Sequence, residues 1–222
     1  NEYFVFIKSK ALCYNIETEY LLPCICKSSD VKIPIFTSED FDILMKRDKN
    51  VFLFNAKDPV NHAMETYICK GEKEKINTRY LTSKRSPWYS LEKRVPAPIW
   101  VSVFNRSGMK FVRNEAGISN LTTFHGVYVK DAVDVDLFFA YLITPTARKI
   151  LLDNSREYGG GLIKFEPNDL NQGKVVDFDV LDEAEKKRIL DLYVKYKMQV
   201  RTGEAEREIN AIDKLFREKY AL

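Results

Sequence analysis

Four cysteines in 222 residues are too few for a disulfide framework, and their spacing excludes the usual structural zinc site. Cys24 and Cys26 are one residue apart rather than the two a zinc turn needs, and no second pair exists. They read as reduced thiols of a cytoplasmic protein, most of them buried. No run of about 18 apolar residues is present, which excludes a membrane-spanning helix. Only His62 and His125 are available as histidine bases, and no Gly-x-Ser-x-Gly elbow accompanies them. The triplet Gly159-Gly160-Gly161 follows an expected helix and precedes an expected strand. That is the reverse of the order that aims a helix N-terminus at phosphate. Glu185-Lys186-Lys187 imitates a nuclease acid and lysine, but inside a charged helix, so metal-dependent cleavage is not expected. Eight prolines include no adjacent pair.

What is present is the composition of an ordinary globular protein, 45% apolar and 30% charged, in a chain long enough to bury a core. The net charge of +3 identifies no partner. From Lys70 to Arg94, however, eight basic residues face three acidic ones, a larger excess than that of the whole chain. The segment "SPWYSLEKRVPAPIW" adds both tryptophans and three prolines. Lys84, Arg85, Lys93 and Arg94 suit phosphates, and Trp88 and Tyr89 offer rings, the combination of a nucleic-acid footprint. The competing readings are a solvated charged face and, for Trp100 on its strand, a core residue.

Hydrophobic spacing predicts a strand over Tyr3 to Ile7, a helix over Ser38 to Lys46 capped by Thr37 or Ser38, and a short strand at Val51 to Phe54. Val60 to Lys84 reads as two helical pieces broken near Gly71, the second carrying Ile76, Tyr80 and Leu81. Strands follow at Ile99 to Phe104, Lys110 to Arg113 and Gly126 to Lys130, the first two joined by the tight turn "NRSG". Between the last two, Asn114 to His125 is expected to be a binding loop. Arg106, Lys110, Arg113, Asn114, Asn120, Thr122 and Thr123 are side chains able to bond phosphates or base edges. A helical block to Glu157 restarts at Thr144-Pro145. "LIKF" is a strand, and Pro167 opens a short turn. Two amphipathic helices close the chain, with a break near Gly203. The expected class is α+β: a small, mainly antiparallel sheet buttressed by helices on one side, with a C-terminal helical pair.

The order of "PWYSLEKRVPAPIWVSVFNRSGMKFVRNEAGISNLTTFHGVYV" and "SREYGGGLIKFEPNDL" resembles the C-terminal target-recognition domain of adenine-specific DNA methyltransferases of restriction–modification systems, in the class with an N-terminal catalytic domain. The resemblance implies that residues 1–36 are a strand and linker from a missing catalytic domain. It makes 37–180 the DNA target-recognition domain and 181–222 a helical pair packed on it. A start at "NEYFVF" without Met fits a piece of a longer or processed protein. The partners implied are double-stranded DNA and the catalytic domain of the same parent. His125 then belongs to the base-reading loop, while Tyr158 and Lys164 either contact phosphate or fix the glycine turn. The family's catalytic Pro-Pro-aromatic motif is absent, so no catalytic, cofactor or metal residue is expected here. S-adenosylmethionine belongs to the catalytic domain. The alternative is a protein-interaction module of a larger bacterial complex without direct DNA contact.

Overall fold

The computed structural model describes residues 2–57, 59–105, 109–130, 133–152, 156–158, 162–164 and 166–221. In chain order the elements are β1 (Val5–Phe6), α1 (Lys8–Cys13), β2 (Leu21–Ile25), β3 (Ile35–Phe36), α2 (Ser38–Lys46), β4 (Phe52–Phe54) and α3 (His62–Lys73). After a long irregular stretch come β5 (Ile99–Ser102), β6 (Phe104–Asn105), β7 (Phe111–Asn114), β8 (Ser119–Asn120) and β9 (Phe124–Val127). The remainder is α4 (Val135–Leu142), α5 (Pro145–Leu152), β10 (Arg156–Tyr158), β11 (Leu162–Lys164), α6 (Pro167–Asn171), α7 (Glu183–Gln199) and α8 (Glu206–Tyr220). The α+β class is as the sequence implies, and no described helix is long and apolar enough to cross a membrane.

The chain divides into two compact units. The first comprises Asn1–Asp30, Thr37–Pro96 and Ala116–Leu121; the second comprises Val31–Phe36, Ala97–Glu115 and Thr122–Leu222. In the first unit the sheet order is β1-β4-β2-β8, antiparallel except for the parallel pair of β2 with β8. Phe6, Phe54 and Tyr67 fill its core, with ring centroids 5.0 to 6.0 Å apart. Helix α2 starts where Thr37 and Asp40 form a reciprocal capping box. The first turns depart from expectation: the strand is two residues long, and α1 follows it directly.

The second unit holds the sheet β3-β7-β5-β9 and the three-stranded sheet β10-β11-β6. Ile99 and Val101 on β5 join one large core with α4, α5, α7 and α8. Trp100, which alternates onto the other face, stacks on Phe124 with centroids 5.5 Å apart and is fully buried. It is a core residue. The C-terminal pair forms as expected, with α7 opened by an Asp182–Glu185 capping box and Gly203 at φ +82° before α8.

Three boundaries move. The helical block ends at Leu152 rather than Glu157, and β10 takes the next described residues. The glycine triplet therefore lies between two antiparallel strands, not after a helix. Gly159, Gly160 and Gly161 themselves, like Arg106, Ser107 and Gly108 of the "NRSG" turn, lie outside the described residues. The central strands are also displaced, to Phe111–Asn114 and Phe124–Val127.

Candidate nucleic-acid interface

The largest departure from the sequence reading builds the candidate site. Helix α3 runs unbroken through Gly71, because that glycine is a point of close approach and not a breaker. A Cβ there would stand 2.5 Å from Trp88 Cη2 and 2.7 Å from the Tyr3 ring. Trp88 thus packs on the helix, 5.5 Å from Tyr3 and 6.3 Å from Phe4 between centroids, and its Nε1 donates to Glu72 at 3.2 Å. Arg85 backs it: its guanidinium lies 5.6 Å from the Phe4 ring and donates to the Ser90 carbonyl. These contacts pin a segment, residues 74 to 96, that contains no regular element. The second helical piece expected there does not form. Asn77, Thr78, Thr82, Ser83 and Ser86 favour turns over helix, a signal that the apolar spacing of Ile76, Tyr80 and Leu81 outweighed in the sequence reading.

The pinned segment separates its side chains by role. Ile76 and Thr82 are buried, whereas Arg79, Lys84, Lys93 and Arg94 are exposed. The acids on it and beside it are engaged by neighbouring side chains. Glu74 pairs with Lys70, Glu92 with Arg94, and Glu72 accepts from Trp88. Among the described residues Arg79, Lys84 and Lys93 have no ion-pair partner. Tyr89 is half-buried against Trp88, 5.8 Å between centroids. Tyr80 and Leu81, expected at helical spacing with Ile76, are 77% and 67% exposed.

In the first unit α3 and the chain beside it also border a cavity of about 440 Å³ whose lining includes Tyr14, Tyr67, Lys10 and Arg79. Burial, and then the neighbouring Lys70 ammonium, pull Lys10 down to about 8. Its Nζ donates to the carbonyls of Glu2, Tyr3 and Val5, so Lys10 ties the first turns of the chain together.

The expected loop from Asn114 to His125 is woven into sheets rather than free. Asn114 is buried on β7, donating from Nδ2 to the Ala97 carbonyl at 2.8 Å. Asn120 stands on β8, where Leu121 N–H continues the pairing by donating to Ile25. Ile118 is buried, Thr122 is exposed, and Thr123 and His125 are half-buried. Arg113 is held by the Asp136 carboxylate at 2.7 Å and by the Pro98 carbonyl. Lys110 is half-buried; its Nζ donates to the Val31 carbonyl and lies 5.7 Å from the Phe124 ring. Burial, and then Lys32, lower it to about 8.

Strand pairing brings Lys164 beside β6, where its ammonium lies 5.7 Å from the ring of Phe104 and pairs with Glu166. Tyr158 is placed by its backbone on β10, opposite Leu162. Phe104 is 56% exposed and was not apparent as a surface residue in the sequence, where it closes an apolar strand. Arg106 lies outside the described residues.

No group of three metal-ligating side chains occurs among the described residues. Cys24 and Cys26 are buried and Cys13 and Cys69 exposed, all four free, so half rather than most of the thiols are inside. The glycine triplet is flanked by antiparallel strands instead of leading into a helix.

With this geometry in place, the chain can be set beside known proteins. The family model of the type II methyltransferase M.Eco57I, C-terminal domain, matches residues 1–216. The type II methyltransferase M.AccI of Acinetobacter calcoaceticus is 54% identical over 226 residues, covering all of this chain and 42% of the relative. The type II methyltransferase M.XamI of Xanthomonas campestris pv. amaranthicola is 28% identical over 102 residues, 46% of this chain and 19% of the relative. The chain thus spans less than half the length of these proteins. Among solved structures, the type IIG restriction endonuclease BpuSI shares the fold, with a TM-score of 0.54 and 13% identity over 97% of this chain and 29% of that one.

Proposed function

We infer that this chain, which belongs to the family defined by the C-terminal domain of the type II methyltransferase M.Eco57I, recognises double-stranded DNA in sequence-specific fashion for a methyltransferase. In this reading the catalytic domain is another part of the parent chain. The parent methylates the exocyclic amine of adenine with S-adenosylmethionine, in the cytoplasm. The observation that carries the reading is the pinned irregular segment of the first unit. Glu72, Glu74 and Glu92 are taken up by Trp88, Lys70 and Arg94, while Arg79, Lys84 and Lys93 stay exposed without ion-pair partners, Lys84 beside the Tyr80 ring. A segment of that length without regular structure, held by a half-buried aromatic anchor, suits a binding surface better than a connection.

The residues here carry no part of methyl transfer. They have no adjacent prolines, and in this reading their contribution is to hold and orient the duplex. Exposed cations bind phosphates and set register. Polar side chains of the second unit such as Thr122 and His125 are the candidates for base edges.

The test is DNA binding by the full-length parent with Lys84, Lys93 and Arg94 replaced by alanine. Arg85 and Trp88 are left intact because they hold the segment in place. Removing one cation from a phosphate lowers the slope of log affinity against log salt by about 0.9. The slope is expected to flatten, with an unchanged melting temperature. An unchanged slope in a folded variant removes the reading and favours a protein-interaction module.

A further inference from the structure

The pinned segment carries a feature that phosphate binding does not require. Tyr80 and Leu81 are adjacent, large and apolar, yet 77% and 67% exposed. They sit on a turn that is built rather than loose. Thr82, 2% exposed, donates from Oγ1 to the carbonyls of Ile76 and Arg79. Ser83 N–H donates to Arg79 at 2.8 Å, Ser83 Oγ to the Tyr80 carbonyl at 3.1 Å, and Arg85 N–H to Thr82 at 3.0 Å. The backbone around the pair is tied down while the two apolar side chains project. A rigid apolar tip left in water costs solvation free energy, so it calls for a partner.

Charge identifies the partner. Arg79 immediately precedes the tip, and the Lys84 ammonium lies 5.8 Å from the Tyr80 ring. The neighbouring acids Glu72 and Glu74 are already engaged by Trp88 and Lys70. An apolar knuckle flanked by cations without ion-pair partners matches a polyanion with an apolar interior, which is the chemistry of a DNA groove between its phosphates. An ordinary protein surface would bring carboxylates singly, not in a paired row on either side of an apolar cleft.

We propose that Tyr80 and Leu81 form a wedge that packs against the stacked bases of the bound duplex while Arg79 and Lys84 take the flanking phosphates. The proposal rests on the DNA-recognition reading and adds that this contact distorts the duplex locally. Tyr80 supplies a flat ring for a base or sugar, and Leu81 supplies bulk at a base step.

The experiment compares the full-length parent with its Tyr80→Ser/Leu81→Ser double variant, using a duplex that carries the recognition site and 2-aminopurine at successive positions. The wild-type protein is expected to raise 2-aminopurine fluorescence at the step the tip reaches. In the variant that rise disappears and affinity falls about tenfold or more, as removing a ring stacked on a base does. The salt slope stays unchanged because every phosphate keeps its cation. Tyr80→Phe with Leu81 intact restores both. The melting temperature holds, since neither side chain is buried. If the variant binds and brightens the probe like wild type, the wedge is wrong. If instead DNA binding is kept and the melting temperature of the parent falls, the tip packs on another part of the parent, and the proposal is equally overturned. In both cases a salt slope that still depends on Lys84 and Lys93 leaves the DNA-recognition reading standing.

Discussion

At the residue scale, two side chains show how position overrides type. Gly71 has no alternative: the 2.5 Å approach of Trp88 Cη2 to its virtual Cβ leaves no room for a methyl group. Gly71→Ala is expected to destabilise the protein by about 1–3 kcal/mol through overpacking, visible as a lowered melting temperature. It would also release Trp88, and a release shows as a red-shifted tryptophan emission. An alanine that melted like wild type would mean that Trp88 does not hold this segment. Lys110 is the second case. Its folded-state value, lowered to about 8 by burial and by Lys32, lies below the ordinary lysine value near 10.4. Between about pH 8 and 10.5 the unfolded chain therefore binds more protons at this site, and stability rises with pH. Compared with Lys110→Met, wild type should gain melting temperature from pH 7.5 to 10. A constant difference between the two across that range would place the Lys110 ammonium in water.

At the scale of elements, helix starts were legible because capping is local. Thr37 with Asp40, Asp182 with Glu185, and Pro167 at its first helical position all lie within one turn of the helix they open. Helix α5 shows the limit of that rule. Thr144 Oγ1 accepts from Ala147 N–H, as the sequence suggests, but Asp213 on α8 also reaches Thr146 N–H, at 2.9 Å and from 67 residues away. Asp213 is 8% exposed. Asp213→Ala strips an anionic acceptor from a half-buried helix N-terminus and is expected to cost about 1–3 kcal/mol, measured by chemical denaturation. A cost near zero would mean water replaces the carboxylate. The stretch after α3 failed as a sequence reading for the complementary reason. Its apolar spacing is helical, but its anchoring side chains Trp88 and Arg85 pack on Gly71, Tyr3 and Phe4, partners that lie outside the stretch.

At the scale of the whole molecule, two kinds of variant are expected to separate on the DNA-recognition reading. Alanine at Lys84 or Lys93 should weaken binding of the parent to cognate and random duplexes alike, whereas changes at Thr122 or His125 should alter which sequence is preferred. Equal losses on all duplexes from both kinds would count against base reading by the second unit. The sequence by itself determined the α+β class, the caps, the C-terminal helical pair and the local excess of positive charge. All of these depend on composition or on neighbours within a few residues. Only the tertiary structure decided that Ile35–Phe36 joins β7 in the second unit while Ser119–Asn120 returns to β2 in the first. It alone turned Trp88 and Arg85 toward the core and left Tyr80 and Leu81 outside. The physical reason is that strand pairing and aromatic packing act between residues far apart in the chain, and an amphipathic spacing does not say which face will find a partner.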